Sequence, residues 1–115
     1  APKRSLEPLE RDVQRAIIEY LQRHPKCAFI GRFNSGSVQS ENARTRSYVR
    51  FNTLPGFPDL HGCLKGGRAL YIEVKRSGHD CTFRQQAFLT MAKNAGALAF
   101  VADCVEDVEE MLRNG

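Results

Sequence analysis

The chain has 115 residues and a mass of 12.9 kDa, so we expect residues 1–115 to form a single domain around one hydrophobic core, which excludes a multi-domain enzyme. Apolar residues make up 42% and charged residues 26%, which excludes a disordered chain, and the longest apolar run, residues 97–102, is too short to cross a bilayer. The net charge is +4, with +8 in the first hundred residues and −4 in the last fifteen; this imbalance indicates a body that binds a polyanion such as nucleic acid, although a basic protein can need its charge only for solubility.

The first predicted element is a helix between Ser5, which can cap it, and Pro25. At 100° per residue, one arc of this helix contains its apolar side chains: Leu9, Val13, Ala16, Ile17, Tyr20 and Leu21. Glu10 lies inside the same arc, so its carboxylate should point inward, where it needs a partner or a cation. From the residues alone, a salt bridge or a favourable place at the helix start is the simpler interpretation.

Strands are predicted next, over residues 28–34 and 48–53, joined by a polar linker over residues 35–47 that we expect to be mobile. A turn at residues 55–58 and a Gly66-Gly67 hairpin turn bracket Asp59. The clearest strand follows over residues 68–75. Its alternation places Leu70, Ile72 and Val74 on one face and Tyr71, Glu73 and Lys75 on the other.

The last third of the chain predicts a helix, a strand and a second helix. Thr82 and Gln85 have the spacing of a capping box, and the helix that they open should end at Gly96. Its predicted buried face consists of Phe88, Met91, Ala92 and Ala95. A strand over residues 97–102 leads to a final helix capped by Asp103 and Glu106, with Val105, Val108, Met111 and Leu112 on one side. This order predicts an α/β sandwich around a mixed sheet.

The four cysteines are Cys27, Cys63, Cys81 and Cys104, without a C-x-x-C pair, and we expect reduced thiols. His61 and Cys63, with His79 and Cys81, form two H-x-C pairs that offer four zinc-type ligands. Their spacing is not typical of zinc sites, so small buried cysteines are the favoured interpretation. No apolar stretch follows the basic N-terminus; we therefore expect no secretory signal and an intracellular, cytoplasmic protein.

Three residues in the middle of the chain can converge on one site. Glu73 and Lys75 are two positions apart on one strand face, about 6.7 Å between Cα atoms. Asp59 precedes Glu73 by fourteen residues, across a hairpin that can pair the two segments antiparallel. Two carboxylates form a hard-oxygen site suited to Mg²⁺, and an adjacent lysine can position water for phosphodiester hydrolysis. A solvated pair of charges on an exposed strand explains the E-x-K spacing alone equally well.

The sequence resembles a known family at these positions. Residues 55–60 (PGFPDL), residues 72–75 (IEVK) and Gln85 are similar to the VRR-NUC (virus-type replication-repair nuclease) branch of the PD-(D/E)xK superfamily, and the likeness runs from the Glu10 helix to Gly96. The resemblance implies a restriction-endonuclease-like core, a mixed β-sheet flanked by helices in α-β-β-β-α-β order.

The resemblance also implies roles for individual residues. Asp59, Glu73 and the backbone carbonyl of Val74 would hold the metal, completed by Glu10 directly or through water; the ion would be Mg²⁺, with Mn²⁺ able to substitute. Lys75 would handle the attacking water. Gln85 would orient Lys75 or the phosphate, a role that we expect one side chain not to combine easily with helix capping.

The implied function is a metal-dependent, structure-selective DNA endonuclease. The expectation for a stand-alone chain is a homodimeric Holliday-junction resolvase in viral or bacterial DNA replication, recombination or repair; a nuclease for flaps or nicks and a non-catalytic basic DNA-binding module are the alternatives. The chain departs from the family at Cys81, Thr82 and Phe83, where an apolar residue and Ser-Pro are usual. On charge alone, the predicted DNA contacts are Arg44, Arg46, Arg50, Lys65 and Arg76.

Overall fold

A computed structural model of the chain describes residues 9–32, 37–39, 48–50, 54–76 and 78–115, with the backbone alone for 37–39 and 48–50. Its elements are α1 (Glu10–Gln22), β1 (Cys27–Arg32), β2 (Ser37–Gln39), β3 (Tyr48–Arg50), β4 (Leu60–Leu64), β5 (Ala69–Val74), α2 (Phe83–Asn94), β6 (Leu98–Ala102) and α3 (Val105–Asn114).

Four of the strands form one mixed sheet in the order β1-β4-β5-β6. β1 pairs antiparallel with β4, and β4 with β5, whereas β5 and β6 are parallel. A parallel neighbour needs a crossover, and α2 supplies it between β5 and β6. The elements that build this sheet follow the α-β-β-β-α-β order, so the predicted fold class is confirmed.

Helices cover both faces of the sheet because β5 alternates as predicted. Leu70, Ile72 and Val74 are fully buried in the larger core, which α1 and α3 complete. Tyr71, on the opposite face, packs against the smaller core under α2, where Phe88, Leu89, Ala92, Ala97 and Ala99 are buried. Glu73 lies on this second face, so the α2 side of the sheet carries the candidate chemistry.

The helix faces differ in detail from the prediction. α1 begins at Glu10 with Leu9 at the N-cap and no side-chain cap, and Ser5 lies outside the described residues. Leu9 and Ala16 are exposed, whereas Gln14 is buried. In α2 the prediction that Met91 and Ala95 are buried is wrong. The face that meets the sheet instead carries Gln85, Phe88, Leu89 and Ala92, an i, i+3, i+4, i+7 pattern.

The structure corrects two further expectations, one about the linker and one about the start of α3. Ser37–Gln39, within the predicted linker, is a strand that pairs antiparallel with Tyr48–Arg50 as a separate two-stranded sheet; the other linker residues and residues 51–53 lie outside the described ranges. The prediction that Asp103 and Glu106 cap α3 is wrong. Cys104 is the N-cap without a side-chain bond, and the Asp103 N–H donates to Asp107 Oδ2 at 3.0 Å.

A turn at Gly56 fixes the approach to β4. Gly56 has φ of 76°, and a Cβ there would overlap the backbone carbonyl of Arg84 in the first turn of α2. Only glycine fits such a close approach at positive φ. The segment that leads to Asp59 therefore packs against the start of α2. Within the described residues, no helix has the length and apolar character needed to cross a membrane.

Candidate active site

The strand register brings the two predicted carboxylates together. Leu60 pairs with Ile72 in the antiparallel β4–β5 ladder, which places Asp59, one residue before β4, across from Glu73. The N–H of Val74 donates to Asp59 Oδ2 at 3.3 Å. The expected antiparallel pairing of the Asp59 and Glu73 segments is therefore confirmed, and a backbone hydrogen bond orients Asp59.

Glu73 is the centre of the site, since its carboxylate is 1% exposed. Its Oε1 accepts a hydrogen bond from Gln85 Nε2 at 3.1 Å and lies 3.9 Å from Lys75 Nζ. Its Oε2 is buried and has no hydrogen-bond partner among the described residues. A buried carboxylate with one unsatisfied oxygen is costly, and such a group in a native structure is a good candidate for binding an ion.

The surroundings of Glu73 disfavour its ionised form. Burial, followed by the adjoining Asp59 carboxylate and its negative charge, raises the pKa of Glu73 to about 9, and Glu10 adds to the rise. The positive charge of Lys75 acts in the opposite direction but does not cancel these effects. Two carboxylates held this close need either a proton or a cation between them. A divalent ion is the partner that would let both remain charged.

Gln85 caps α2 and also contacts Glu73, while its predicted role of orienting Lys75 or the phosphate stays a prediction. Its Oε1 accepts from the Thr82 N–H at 2.8 Å, while the Gln85 N–H donates to Thr82 Oγ1 at 3.2 Å, which completes the capping box. Its Nε2 remains available for Glu73. A primary amide has separate acceptor and donor ends, so one side chain serves both partners.

Glu10 lies at the start of α1 and is partly buried. Its negative charge contributes to the raised pKa of Glu73. It does not join Asp59 and Glu73 in a tight group: in the described part of the chain, three ligand-type atoms within 4.8 Å of one another occur at Asp103, Cys104 and Asp107. In that group, Asp107 accepts the Asp103 N–H, which lowers the pKa of Asp107. Backbone hydrogen bonding at the start of α3 accounts for this cluster.

The four zinc-type residues do not gather. His61 packs edge-on against Phe57 and stacks on Tyr71, with ring centroids 5.5 and 6.4 Å away. Cys81 instead lies near the carboxylates. Burial is the main cause that raises the pKa of its thiol, and the negative charges of Glu73 and Asp59 raise it further. The sequence analysis missed this proximity, for which its position just before the cap Thr82 was the available signal.

The predicted DNA contacts are spread over the chain. Arg44 and Arg46 lie outside the described residues, as does the side chain of Arg50 on β3. Lys65 is exposed in the turn after β4, at the end of the hairpin opposite Asp59 and about 20 Å along the strand. Arg76 is half-buried and directly follows Lys75. Of these five, Arg76 is the described residue adjacent in sequence to the site.

Comparison with solved structures finds a similar chain described as a "VRR_NUC domain protein", with a TM-score of 0.62 and 23% sequence identity. The alignment covers 95% of this chain and 89% of that chain. The chain has the fold of a VRR-NUC domain. The resemblance proposed from residues 55–60 and 72–75 is thus confirmed at the level of the fold. No protein-family model and no curated protein sequence matches the chain.

Proposed function

We propose that this chain is a divalent-metal-dependent endodeoxyribonuclease that hydrolyses phosphodiester bonds. The observation that carries the proposal is Glu73, a carboxylate that is 1% exposed, lies across from Asp59 and has an oxygen without a partner among the described residues. In a VRR-NUC fold, this pair occupies the beginning of β4 and the end of β5, beside the first turns of α1 and α2.

The donor set fits a hard cation such as Mg²⁺ or Mn²⁺. Asp59 and Glu73 would hold the ion with the carbonyl of Val74, and Glu10 would contribute directly or through water. All of these donors are oxygens, which Mg²⁺ prefers, and their small number leaves positions for water and phosphate. The elevated pKa of Glu73 supports the fit, because a bound cation would offset the repulsion between the two carboxylates.

A divalent cation, when bound, polarises the scissile phosphate and increases the acidity of water. Lys75, whose side chain is 16% exposed, has its Nζ 3.9 Å from Glu73 Oε1, where it would orient the attacking water and offset the charge that develops on the phosphate. Gln85 holds Glu73 Oε1 and so fixes the carboxylate against the strand. Hydrolysis would leave a 5′-phosphate and a 3′-hydroxyl.

The proposed substrate is branched DNA, and first of all a four-way junction, cut inside a bacterial or virus-infected cell. The +8 charge of the first hundred residues supports a DNA partner. A homodimer with a two-fold axis would present two sites in symmetric positions, as paired cuts across a junction require. Junction preference and dimerisation are parts of the same proposal.

The test is cleavage of an end-labelled four-way junction beside flap, nicked, linear duplex and single-stranded controls, in Mg²⁺, Mn²⁺ or EDTA. Asp59→Asn, which keeps the side-chain size, should abolish cleavage, whereas Asp80→Asn at an exposed position should not. Paired cuts in the junction support the resolvase. Cutting of flaps or nicks alone keeps the nuclease and removes the junction preference.

Lys75→Ala separates the enzyme from a DNA-binding module. We expect it to abolish cleavage and to leave junction affinity within a few-fold of wild type, with Lys93→Ala at the far end of α2 as the matched control. Tight junction binding by the wild type without cleavage in either metal would contradict the enzymatic proposal.

A further inference from the structure

The first residue of α2 exposes an aromatic ring next to the candidate site. Phe83 is 86% exposed, the largest value among the exposed large hydrophobic side chains in the described ranges. It belongs to neither core, and the Thr82–Gln85 capping box already stabilises the start of the helix. Neither folding nor capping therefore explains a phenylalanine here, and its exposure to water is unfavourable.

Two shallow grooves flank the Phe83 ring. One, of about 390 Å³, runs between the ring and Leu54, Pro55 and Arg84. The other, of about 560 Å³, continues along α2 past Gln86 and Thr90. Both faces of the ring are thus accessible to a planar group, and Arg84 lines the first groove.

The charges around the ring favour a nucleic acid. Arg84 directly follows Phe83, and the α2 sequence contains no carboxylate. A second copy presenting the same face would place like charges together. One side of a 12-residue helix is also only about 18 Å long and 10 Å wide, small beside the roughly 800 Å² per partner of a stable interface. An aromatic ring beside a guanidinium instead suits a nucleobase and its phosphate.

The Phe83 ring and the candidate site share the first turn of α2. Phe83 precedes Gln85 by two residues, about 3 Å along the helix axis, and Gln85 Nε2 contacts Glu73 Oε1 at 3.1 Å. At 100° per residue the two side chains leave opposite sides of this turn, so about the width of a helix, 10–12 Å, separates the ring from Glu73. A single strand that passes from Glu73 across the start of α2 would bring a base a few nucleotides from the cleaved phosphate to Phe83.

We propose that Phe83 is a stacking platform for an unpaired nucleobase near the cleaved phosphate, so that the chain recognises DNA where the duplex is interrupted. This inference rests on the proposed nuclease function and specifies its substrate: bases in a continuous duplex are held by pairing and by stacking on both sides, whereas a pair at a branch point has lost a stacking neighbour and opens at lower cost.

The test measures binding in the non-cleaving Asp59→Asn background, with 2-aminopurine at the branch point of a four-way junction and in a linear duplex of the same sequence. We expect the junction probe to be quenched on binding. Phe83→Ala should remove this quenching and weaken junction binding about 5- to 100-fold, the range for loss of one stacked base, while duplex affinity changes less than twofold. Phe83→Tyr should restore both readouts.

Phe29→Ala is the matched control, since Phe29 is 63% exposed on β1 and should affect neither DNA. The stacking role would be overturned if Phe83→Ala weakened binding to junction and duplex equally, or if it changed neither affinity nor quenching. It would also be overturned if Phe83→Ala converted a dimer to a monomer in sedimentation, because the ring would then contact a second copy of the chain. If the wild type cuts DNA and Phe83→Ala behaves like wild type, only this inference fails. If the wild type neither binds nor cuts DNA, the proposed function fails as well.

Discussion

At the scale of single residues, the chemistry of the site depends on where charges are buried. Glu73 is almost fully buried, and the rise of its pKa to about 9 favours the protonated form at neutral pH in the folded, metal-free chain. The unfolded chain ionises the same group near its ordinary value of about 4.5. The folded state therefore binds one more proton between these two values.

This linkage predicts a pH-dependent effect of Glu73→Gln. In EDTA, the contribution of Glu73 to wild-type stability should be greatest below about pH 4.5 and should fall as the pH rises toward 9. Because glutamine cannot ionise, the variant should match the wild type near pH 4.5 and be more stable at pH 8. Thermal unfolding across this range provides the measurement. A constant difference at all pH values would contradict the raised pKa.

Metal should reverse this order at pH 8. A cation that binds the ionised carboxylates stabilises the wild type by mass action, so adding Mn²⁺ should raise the melting temperature of the wild type and not that of Glu73→Gln. Asp80→Asn, at an exposed carboxylate, should respond as the wild type does.

Gln14 is a second buried polar residue, in this case outside the proposed mechanism. It is 7% exposed, and its Oε1 has no hydrogen-bond partner among the described residues. An unsatisfied buried acceptor costs about 1–3 kcal/mol, so Gln14→Leu should increase the free energy of unfolding by about 1 kcal/mol. Chemical denaturation measures the change. Gln22→Leu, at an exposed site of the same helix, should change it by less than about 0.5 kcal/mol.

At the scale of elements, α2 connects stability to the site through its first turn. The Thr82 hydroxyl accepts the Gln85 N–H, and the Thr82 N–H donates to the Gln85 side chain. This reciprocal pair leaves Gln85 Nε2 directed at Glu73. A helix cap is therefore also the support of a site residue.

Thr82→Ala should reduce both the stability of the chain and its activity. Loss of the hydroxyl should cost about 1 kcal/mol of stability and should also reduce cleavage, because the backbone N–H of Gln85 loses its anchor. Thr82→Ser should restore both properties, since it keeps the hydroxyl. Unfolding and cleavage measured on the same preparations test this; an intact cleavage rate in a destabilised Thr82→Ala protein would show that capping does not position Gln85.

At the scale of the whole molecule, the acidic helix α3 lies on the opposite side of the sheet from the candidate site. α3 packs in the core on the α1 side of the sheet, whereas Glu73 and Gln85 lie on the α2 side. Bound DNA should therefore release counterions at basic residues near α2 and the end of β5, such as Arg76.

Salt dependence measures this distribution. In the Asp59→Asn background, Arg76→Gln should weaken junction binding and reduce the slope of log affinity against log salt by about one. Lys65→Gln should leave the slope near that of the parent, because Lys65 lies at the opposite end of the β4–β5 hairpin. Equal losses in the two variants would indicate that DNA extends to the hairpin turn; melting temperatures control for unfolding.

Short-range patterns in the sequence were sufficient to predict the local features of the fold. Alternation in residues 70–75 specified β5 and its two faces, Gly66-Gly67 specified the hairpin, and Thr82 with Gln85 specified the start of α2. These signals depend on the residues and their near neighbours alone, because side-chain periodicity and turn chemistry act over a few positions. The motif spacing also identified Asp59 and Glu73 as partners across the hairpin.

The tertiary structure alone decided what depends on packing between distant segments. The pairing of Ser37–Gln39 with Tyr48–Arg50, the burial of Gln14 and the exposure of Met91 follow from how elements meet, which no local pattern records. The same reason explains why Gln85 both caps α2 and holds Glu73: its two partners are brought within reach of the two ends of one amide only when α2 packs on β5.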